Sequence, residues 1–306
     1  MLEPAPLLKQ VVHVAADPEG SSQVWRRRDR LWGWFRLLHP FPSLLVTLAT
    51  ALFAEIAAGG HAAPDRLARL VLAMVCSQFA IGSANDVMDR TLDASAKRWK
   101  PLVRGTVGAE GAGRLAAVCC LASLGCAATL GAATLLAMAM GLGCGLAYDL
   151  RLKRSIWSWL PYGLAIPTIP VACWAAMDRL TWRLLPVYPL GLLLGVALHL
   201  ANTLPDLEDD HAFGIRGLAH LFGRRASMLL CWGAFLLAVG LTIALAPALQ
   251  YHSIAYPIGV GVSLLLVAAS MILYRVRPTV ATLQTNFGLV ALASVALGLG
   301  WLAGAL

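Results

Sequence analysis

The sequence predicts an all-α integral membrane protein, nine transmembrane helices in one bundle with the N-terminus cytosolic. Three observations carry that prediction. The first is composition: 59% of the 306 residues are hydrophobic and 13% are charged, with a mean hydropathy of +0.72, whereas a soluble chain carries about 25% charge. The second is a series of apolar segments. Crossing the hydrocarbon takes roughly 17–25 apolar residues, and candidates lie at 41–59, 66–84, 112–130, 132–148, 158–176, 186–203, 226–246, 254–273 and 284–304. The third is the placement of Lys and Arg. With the N-terminus inside, 20 of the 24 fall on cytosolic segments, and only Arg66, Arg69, Arg179 and Arg183 fall outside. Positive charge resists translocation, so this bias sets the orientation.

The elements follow in chain order. Residues 1–24 contain Glu3, Asp17, Glu19 and three prolines but no unbroken apolar core, so they read as a flexible cytosolic tail and not as a signal peptide. No linker interrupts 25–306, which reads as a single transmembrane domain. From Trp25 to Arg36, arginines are mixed with four aromatic residues, the pattern of an interfacial helix under an anionic leaflet. Leu115 to Tyr148 carries no charge over 34 positions, too many for one span, and divides into two around Gly131. The seven cysteines lie in apolar stretches without Cys-x-x-Cys spacing; they read as small core residues, not as zinc ligands or disulfides. The +8 charge is spread over five cytosolic segments as topology requires, which argues against a nucleic-acid partner.

Half of the sixteen acidic residues fall in three cytosolic connections: Asp86, Asp89 and Asp93; Asp149; and Asp206, Glu208, Asp209 and Asp210. Carboxylates at a membrane boundary are costly and by default mark function. Their spacing says more than their number. Asn85, Asp89 and Asp93 are four apart, one stripe on a helix, and Asn202, Asp206 and Asp210 repeat the pattern 117 residues later. A lone Asp at a helix end is an ordinary cap or a solvated charge; two matched triplets on one membrane face suggest an internal duplication. Facing carboxylate stripes repel unless cations lie between them, and a hard, oxygen-only donor set suits Mg²⁺ better than zinc. Basic residues follow: Lys97, Arg98, Lys100 and Arg104, then Lys153 and Arg154, then Arg216. Metal plus Lys/Arg holds a diphosphate and stabilises it as it leaves, and a hydrocarbon chain on that diphosphate would lie among the spans.

These residues resemble the UbiA superfamily of intramembrane prenyltransferases. Asn85-Asp-Val-Met-Asp-Arg-Thr-Leu-Asp93 looks like its first aspartate-rich motif, and Lys97-Arg-Trp-Lys-Pro-Leu-Val-Arg-Gly105 like the basic continuation. Tyr148-Asp-Leu-Arg-Leu-Lys153 resembles its Tyr-x4-Lys element, and Asn202-Thr-Leu-Pro-Asp-Leu-Glu-Asp-Asp210, with Gly214 and Gly223 beyond, its second aspartate-rich motif. Arg36-Leu-Leu-His-Pro40 fits the family's first span. The resemblance implies nine helices around a central cavity that opens sideways to lipid, with Mg²⁺ and an isoprenyl diphosphate at the cytosolic end of a cell (inner) membrane protein. It implies Asp89, Asp93, Asp206 and Asp210 as metal ligands, supported by Asn85 and Asn202, with Asp86 and Asp209 as second candidates. Lys97, Arg98, Lys100, Lys153, Arg104 and Arg216 would neutralise the diphosphate, and Tyr148 would face the allylic cation. Lys100 stands where the family often has arginine, replacing a fork-shaped contact by a point charge.

The acceptor is not legible: an aromatic or lipid-like small molecule fits, and so does none, as in terpene cyclases that share the motifs. A cation-coupled transporter is the reading from another class. The acids cluster at one face with basic neighbours instead of at the midplane, which speaks against it. His199 is a candidate base or an interhelical hydrogen bond; Gln284 and Asn286 either face the cavity or pair between helices.

Overall fold

The computed structural model describes residues 25–212, 214–276 and 278–306, without the side chains of Ala96 and Ala212; the tail expected at 1–24 lies outside the described residues. Among the described residues the chain is helical, with no strand. The long helices are α2 (Pro40–Ala57), α3 (Pro64–Met88), α6 (Ala109–Ala128), α7 (Ala132–Leu150), α8 (Leu160–Ala176), α9 (Val187–Thr203), α11 (Leu218–Leu249), α12 (Ala255–Val276) and α13 (Val280–Ala305). Shorter ones are α1 (Arg27–Leu37), α4 (Arg90–Ala96), α5 (Pro101–Arg104) and α10 (Leu207–Ala212). Eight segments are long and apolar enough to cross a membrane, and α8 is an apolar helix of 17 residues.

Local sequence sets the boundaries. Pro40, Pro64 and Pro161 occupy first-turn positions, where the missing N–H has no helical partner to lose. Gly131 at φ 111° makes the tight turn that divides the uncharged stretch into α6 and α7, a conformation closed to residues with a Cβ. The segment expected at 226–246 belongs to a longer helix, α11, which crosses a non-helical residue, Gly223 at φ 74°. Hydropathy places only the apolar part, since Arg224 and Arg225 lower the signal in the first turns.

The bundle inverts the soluble pattern. Leu44, Leu121, Leu136, Leu237, Leu265 and Ile272 are exposed on the outer faces, as lipid contact allows. Interfaces are made by small residues that let backbones approach. A Cβ on Gly195 of α9 would lie 2.7 Å from Gly163 Cα of α8, and one on Gly259 of α12 would lie 2.7 Å from Gly300 Cα of α13. The helices α2, α3, α7, α8, α9 and α13 close a ring, with α6 and α12 packed outside it and α11 reaching the cavity with Ala219, His220 and Thr242. Inside the ring is a cavity of about 760 Å³. The N-terminal end of α3 meets the C-terminal end of α8, where Arg66 Nε donates to the Ala176 carbonyl at 2.7 Å.

Candidate active site

One end of the cavity is polar, and the two triplets supply it. Asn85 sits in the last turn of α3, and the chain bends at Asp89 into α4. The i to i−4 ladder nevertheless continues, since the N–H groups of Asp89, Asp93 and Lys97 donate to the carbonyls four residues back at 2.9, 2.7 and 2.7 Å. Asn85, Asp89 and Asp93 therefore keep one stripe through the bend, and all three line the cavity. The second triplet differs locally. α9 ends at Thr203, and Leu204–Asp206 is a 3₁₀ turn before α10. Pro205 has no N–H for the α-helical bond to Ala201, so Asn202, Asp206 and Asp210 reach the cavity from two helices and a turn instead of the continuous helical stripe expected from their spacing.

The lysines lie among these carboxylates. Lys97 Nζ donates to Asp206 Oδ2 at 2.7 Å, tying the segment after the first triplet to the second. Lys153 Nζ pairs with Asp89 and lies 4.0 Å from Asp149 Oδ1. Lys100 Nζ lies 2.8 Å from Asp86 Oδ1 and 2.7 Å from Asp93 Oδ2. Burial pushes the Asp93 carboxyl above its ordinary value even with Lys100 beside it. Burial also opposes the charge on Lys100, but Asp86 and Asp93 outweigh it and hold the ammonium above its ordinary range.

Tyr148 also lines the cavity; its ring meets Tyr162 edge-on at 5.3 Å and His199 at 5.9 Å. Several sequence candidates stand elsewhere. Asp86 is buried outside the cavity wall, between Lys100 and His39 Nε2, which lies 3.1 Å away. Asp209, Arg98, Arg104 and Arg216 are exposed and do not line the cavity, and the Arg104 guanidinium lies 5.0 Å from the Trp25 ring centre. His199 is fully buried with Nε2 at 2.9 Å from Ser158 Oγ in the turn before α8, and it is not a cavity group. Gln284 lines the cavity; Asn286 is buried away from it.

Three participants had no assigned role in the sequence reading of the site. Asp149 lines the cavity and accepts from Asn85 Nδ2 at 2.8 Å, while its Oδ2 is buried without a partner. Its i to i+4 spacing from Lys153, inside Tyr148-Asp-Leu-Arg-Leu-Lys153, was the available signal. Tyr162 accepts from Asn202 Nδ2 at 3.0 Å. His39 holds Asp86 from a left-handed conformation at φ 48°, which periodicity does not reveal.

The donor set can be tested against Mg²⁺. Five aspartates (Asp89, Asp93, Asp149, Asp206 and Asp210) and three lysines line this end, with no cysteine or glutamate. Among the described residues no three acidic, His or Cys side chains converge as a ready-made metal cluster; ammonium groups stand between the carboxylates. A buried excess of carboxylate oxygens, one of them unpaired, is what a hard divalent cation fits.

The comparisons with known proteins agree with this architecture. A 4-hydroxybenzoate octaprenyltransferase of Vibrio campbellii is 29% identical over 248 residues, covering 80% of this chain and 84% of that enzyme. A UbiA homologue of Archaeoglobus fulgidus, solved bound to DMAPP and Mg²⁺, superposes with a TM-score of 0.69 at 19% identity, over 88% of this chain and 98% of that one. A digeranylgeranylglyceryl phosphate synthase structure gives a TM-score of 0.68 at 16% identity, over 90% and 98%. At such identities the solved structures establish the fold. The model of the UbiA prenyltransferase family matches residues 44–287, and with it the chain belongs to that family, an integral membrane prenyltransferase and not a transporter.

Proposed function

We propose that this prenyltransferase moves an isoprenyl group from an isoprenyl diphosphate to a small aromatic or lipid-like acceptor, with Mg²⁺ and the diphosphate held between the two Asn/Asp triplets. The charge balance of the cavity carries the reading. Five carboxylates face three ammonium groups at its polar end, so an anionic diphosphate would be repelled unless divalent cations entered with it. The named ligands of the Archaeoglobus fulgidus homologue, DMAPP and Mg²⁺, are of this kind, and the Vibrio campbellii name supplies an aromatic acceptor and a long isoprenyl donor as the first pair to test.

Asp89, Asp93, Asp206 and Asp210 would hold the metal, and Asn85 and Asn202 would add amide oxygens. Bound there, Mg²⁺ would supply positive charge to the diphosphate oxygens as the carbon–oxygen bond breaks. Lys97 and Lys153 turn from Asp206 and Asp89 to the diphosphate, so each ammonium exchanges one anion for another and the carboxylates become free as ligands. Lys100, held by two buried aspartates, stays in place and positions Asp93. The π faces of Tyr148 and Tyr162 flank the allylic carbon and favour positive charge on it. The acceptor then bonds to that carbon and gives up a proton, which the departing diphosphate can take.

The same proposal covers placement. Residues 25–306 act as one unit that crosses the membrane nine times, with the N-terminus and the polar end of the cavity on the cytosolic side of the cell membrane. The 20-to-4 split of basic residues supports this.

The test is diphosphate release by detergent-purified protein given Mg²⁺ and either geranyl or octaprenyl diphosphate, with and without 4-hydroxybenzoate. Acceptor-dependent release, abolished by EDTA and lowered about 10²-fold or more in Asp89→Asn and Asp206→Asn, is expected. Release without acceptor would identify a cyclase, and release undiminished in both variants would remove the triplets from the chemistry.

A further inference from the structure

The helices that carry Asn85 and Tyr148 lie side by side in one register. Both α3 and α7 end at the polar end of the cavity, and three contacts join them at successive turns, each between residues 64 apart in the chain. Gly145 sits against Ile81, where a Cβ would clash with the isoleucine side chain; the missing side chain lets the two helices approach closely. One turn on, Asp149 Oδ1 accepts from Asn85 Nδ2 at 2.8 Å. A further turn on, Lys153 pairs with Asp89. The close approach at Gly145 therefore delivers Asp149, a residue of neither triplet, to the first asparagine.

The Asn85 amide is caught between two carboxylates. Its Nδ2 donates to Asp149 Oδ1 at 2.8 Å and to Asp89 Oδ2 at 3.1 Å. An amide nitrogen carries two protons and a carboxylate oxygen accepts, so both N–H bonds are used. The reversed amide would set its oxygen against two anions. The amide oxygen is left over on a side chain that lines the cavity, and among the described residues it accepts from no donor. We infer that Asp149 is a positioning residue for the metal: it fixes Asn85 with the amide oxygen, and not the NH₂, turned to the cation. This rests on the metal reading of the triplets above. Asp89 cannot be the anchor by itself, because in that reading it is a ligand and its bond to Asn85 competes with the metal. Asp149 comes from another helix, is 4% exposed, and keeps its bond to Asn85 when Asp89 turns to the cation. A partner of this kind, one bond behind a ligand, sets which atom the ligand offers and how firmly it is held.

The experiment titrates Mn²⁺, a spectroscopic stand-in for Mg²⁺, into monodisperse protein in detergent with inorganic diphosphate present, and reads free Mn²⁺ by electron paramagnetic resonance. It compares wild type, Asp149→Asn and Asp149→Ala, and the same three with Asn85→Ala added. Asp149→Asn removes charge but keeps an oxygen that accepts from Asn85, whereas Asp149→Ala removes the oxygen as well. Asp149→Ala should weaken Mn²⁺ binding about tenfold or more beyond Asp149→Asn, the scale for losing a group that orients a metal ligand. With Asn85→Ala added, no amide remains to orient, and the two variants should bind Mn²⁺ equally. Three results would overturn the proposal. Wild-type affinity in Asp149→Ala would leave Asp149 no part in holding the metal. Equal losses in Asp149→Asn and Asp149→Ala would make its charge, as a direct ligand, what matters. A gap between them that persists without Asn85 would make it a packing residue. If wild type binds no Mn²⁺, the metal reading has failed instead. If Asp149→Ala does not fold, Asp149→Leu, which removes the oxygen and fills the space, decides by the same comparisons.

Discussion

At the residue scale, the site is a set of five aspartates answered by three ammonium groups, and the individual lysines differ in how they are held. Lys100 is locked between Asp86 and Asp93 and is 7% exposed, whereas Lys97 and its partner Asp206 are partly open. Removing one partner of a buried pair leaves an uncompensated charge and costs about 3–5 kcal/mol. Lys100→Met should therefore lower thermal stability in detergent by that amount, read from the unfolding midpoint, and Asp86→Asn in the same chain should recover part of it. Lys97→Met should leave the midpoint nearly unchanged and reduce kcat. The sequence showed the lysines but not this division, because helical spacing says which side chains share a face and nothing about which anion each meets across the bundle. The same limit hid His39: its bond to Asp86 joins positions 47 residues apart. For Arg98, Arg104 and Arg216 the membrane itself supplied a reason to be basic, so charge alone could not mark them as cavity residues, and they are not.

At the element scale, most of the helices were legible because an apolar run long enough to span has few other readings. The break in the second triplet was less so. The first triplet keeps α-helical bonding through Asp89, while Pro205 forces the second through a 3₁₀ turn. Three residues at 120° instead of 100° turn Asp206 and Asp210 by about 60° relative to a continuous helix. Pro205→Ala should let α9 run on into α10, rotating those carboxylates, so kcat should fall about tenfold with little loss of stability; an unchanged kcat would show that the turn does not aim them. The glycine crossings predict the converse. Gly195→Val places a branched side chain against the α8 backbone at 2.7 Å, and should destabilise by about 1–3 kcal/mol, read as a lowered unfolding midpoint.

At the scale of the whole molecule, the question is whether α8 crosses. It is 17 residues long, interrupted by Pro167 and Pro170, and unlike α9, which is equally short but continues into helical turns at both ends over 182–211, it stands apart from the eight clear spans. Its neighbours argue that it crosses. It starts just beyond Lys153, at the polar end of the cavity, and ends at Ala176, whose carbonyl takes the Arg66 guanidinium from the opposite end of α3. At 1.5 Å per residue it covers roughly 25 Å, and α3 leads from that same contact back to Asn85. Internal pairing also compensates for its prolines: Pro167 packs on Gly191 of α9, the kind of contact that tolerates proline inside a membrane helix. Nine crossings put the two ends of the chain on opposite sides of the membrane, whereas eight put them on the same side. A fluorescent protein fused before residue 1 should therefore be bright, and alkaline phosphatase fused after residue 306 should be active, with the reporters exchanged giving no signal at either end. Phosphatase activity absent at the C-terminal fusion, with fluorescence there instead, would mean eight crossings. It would also place the Arg66–Ala176 contact in a re-entrant helix and not at the far membrane surface.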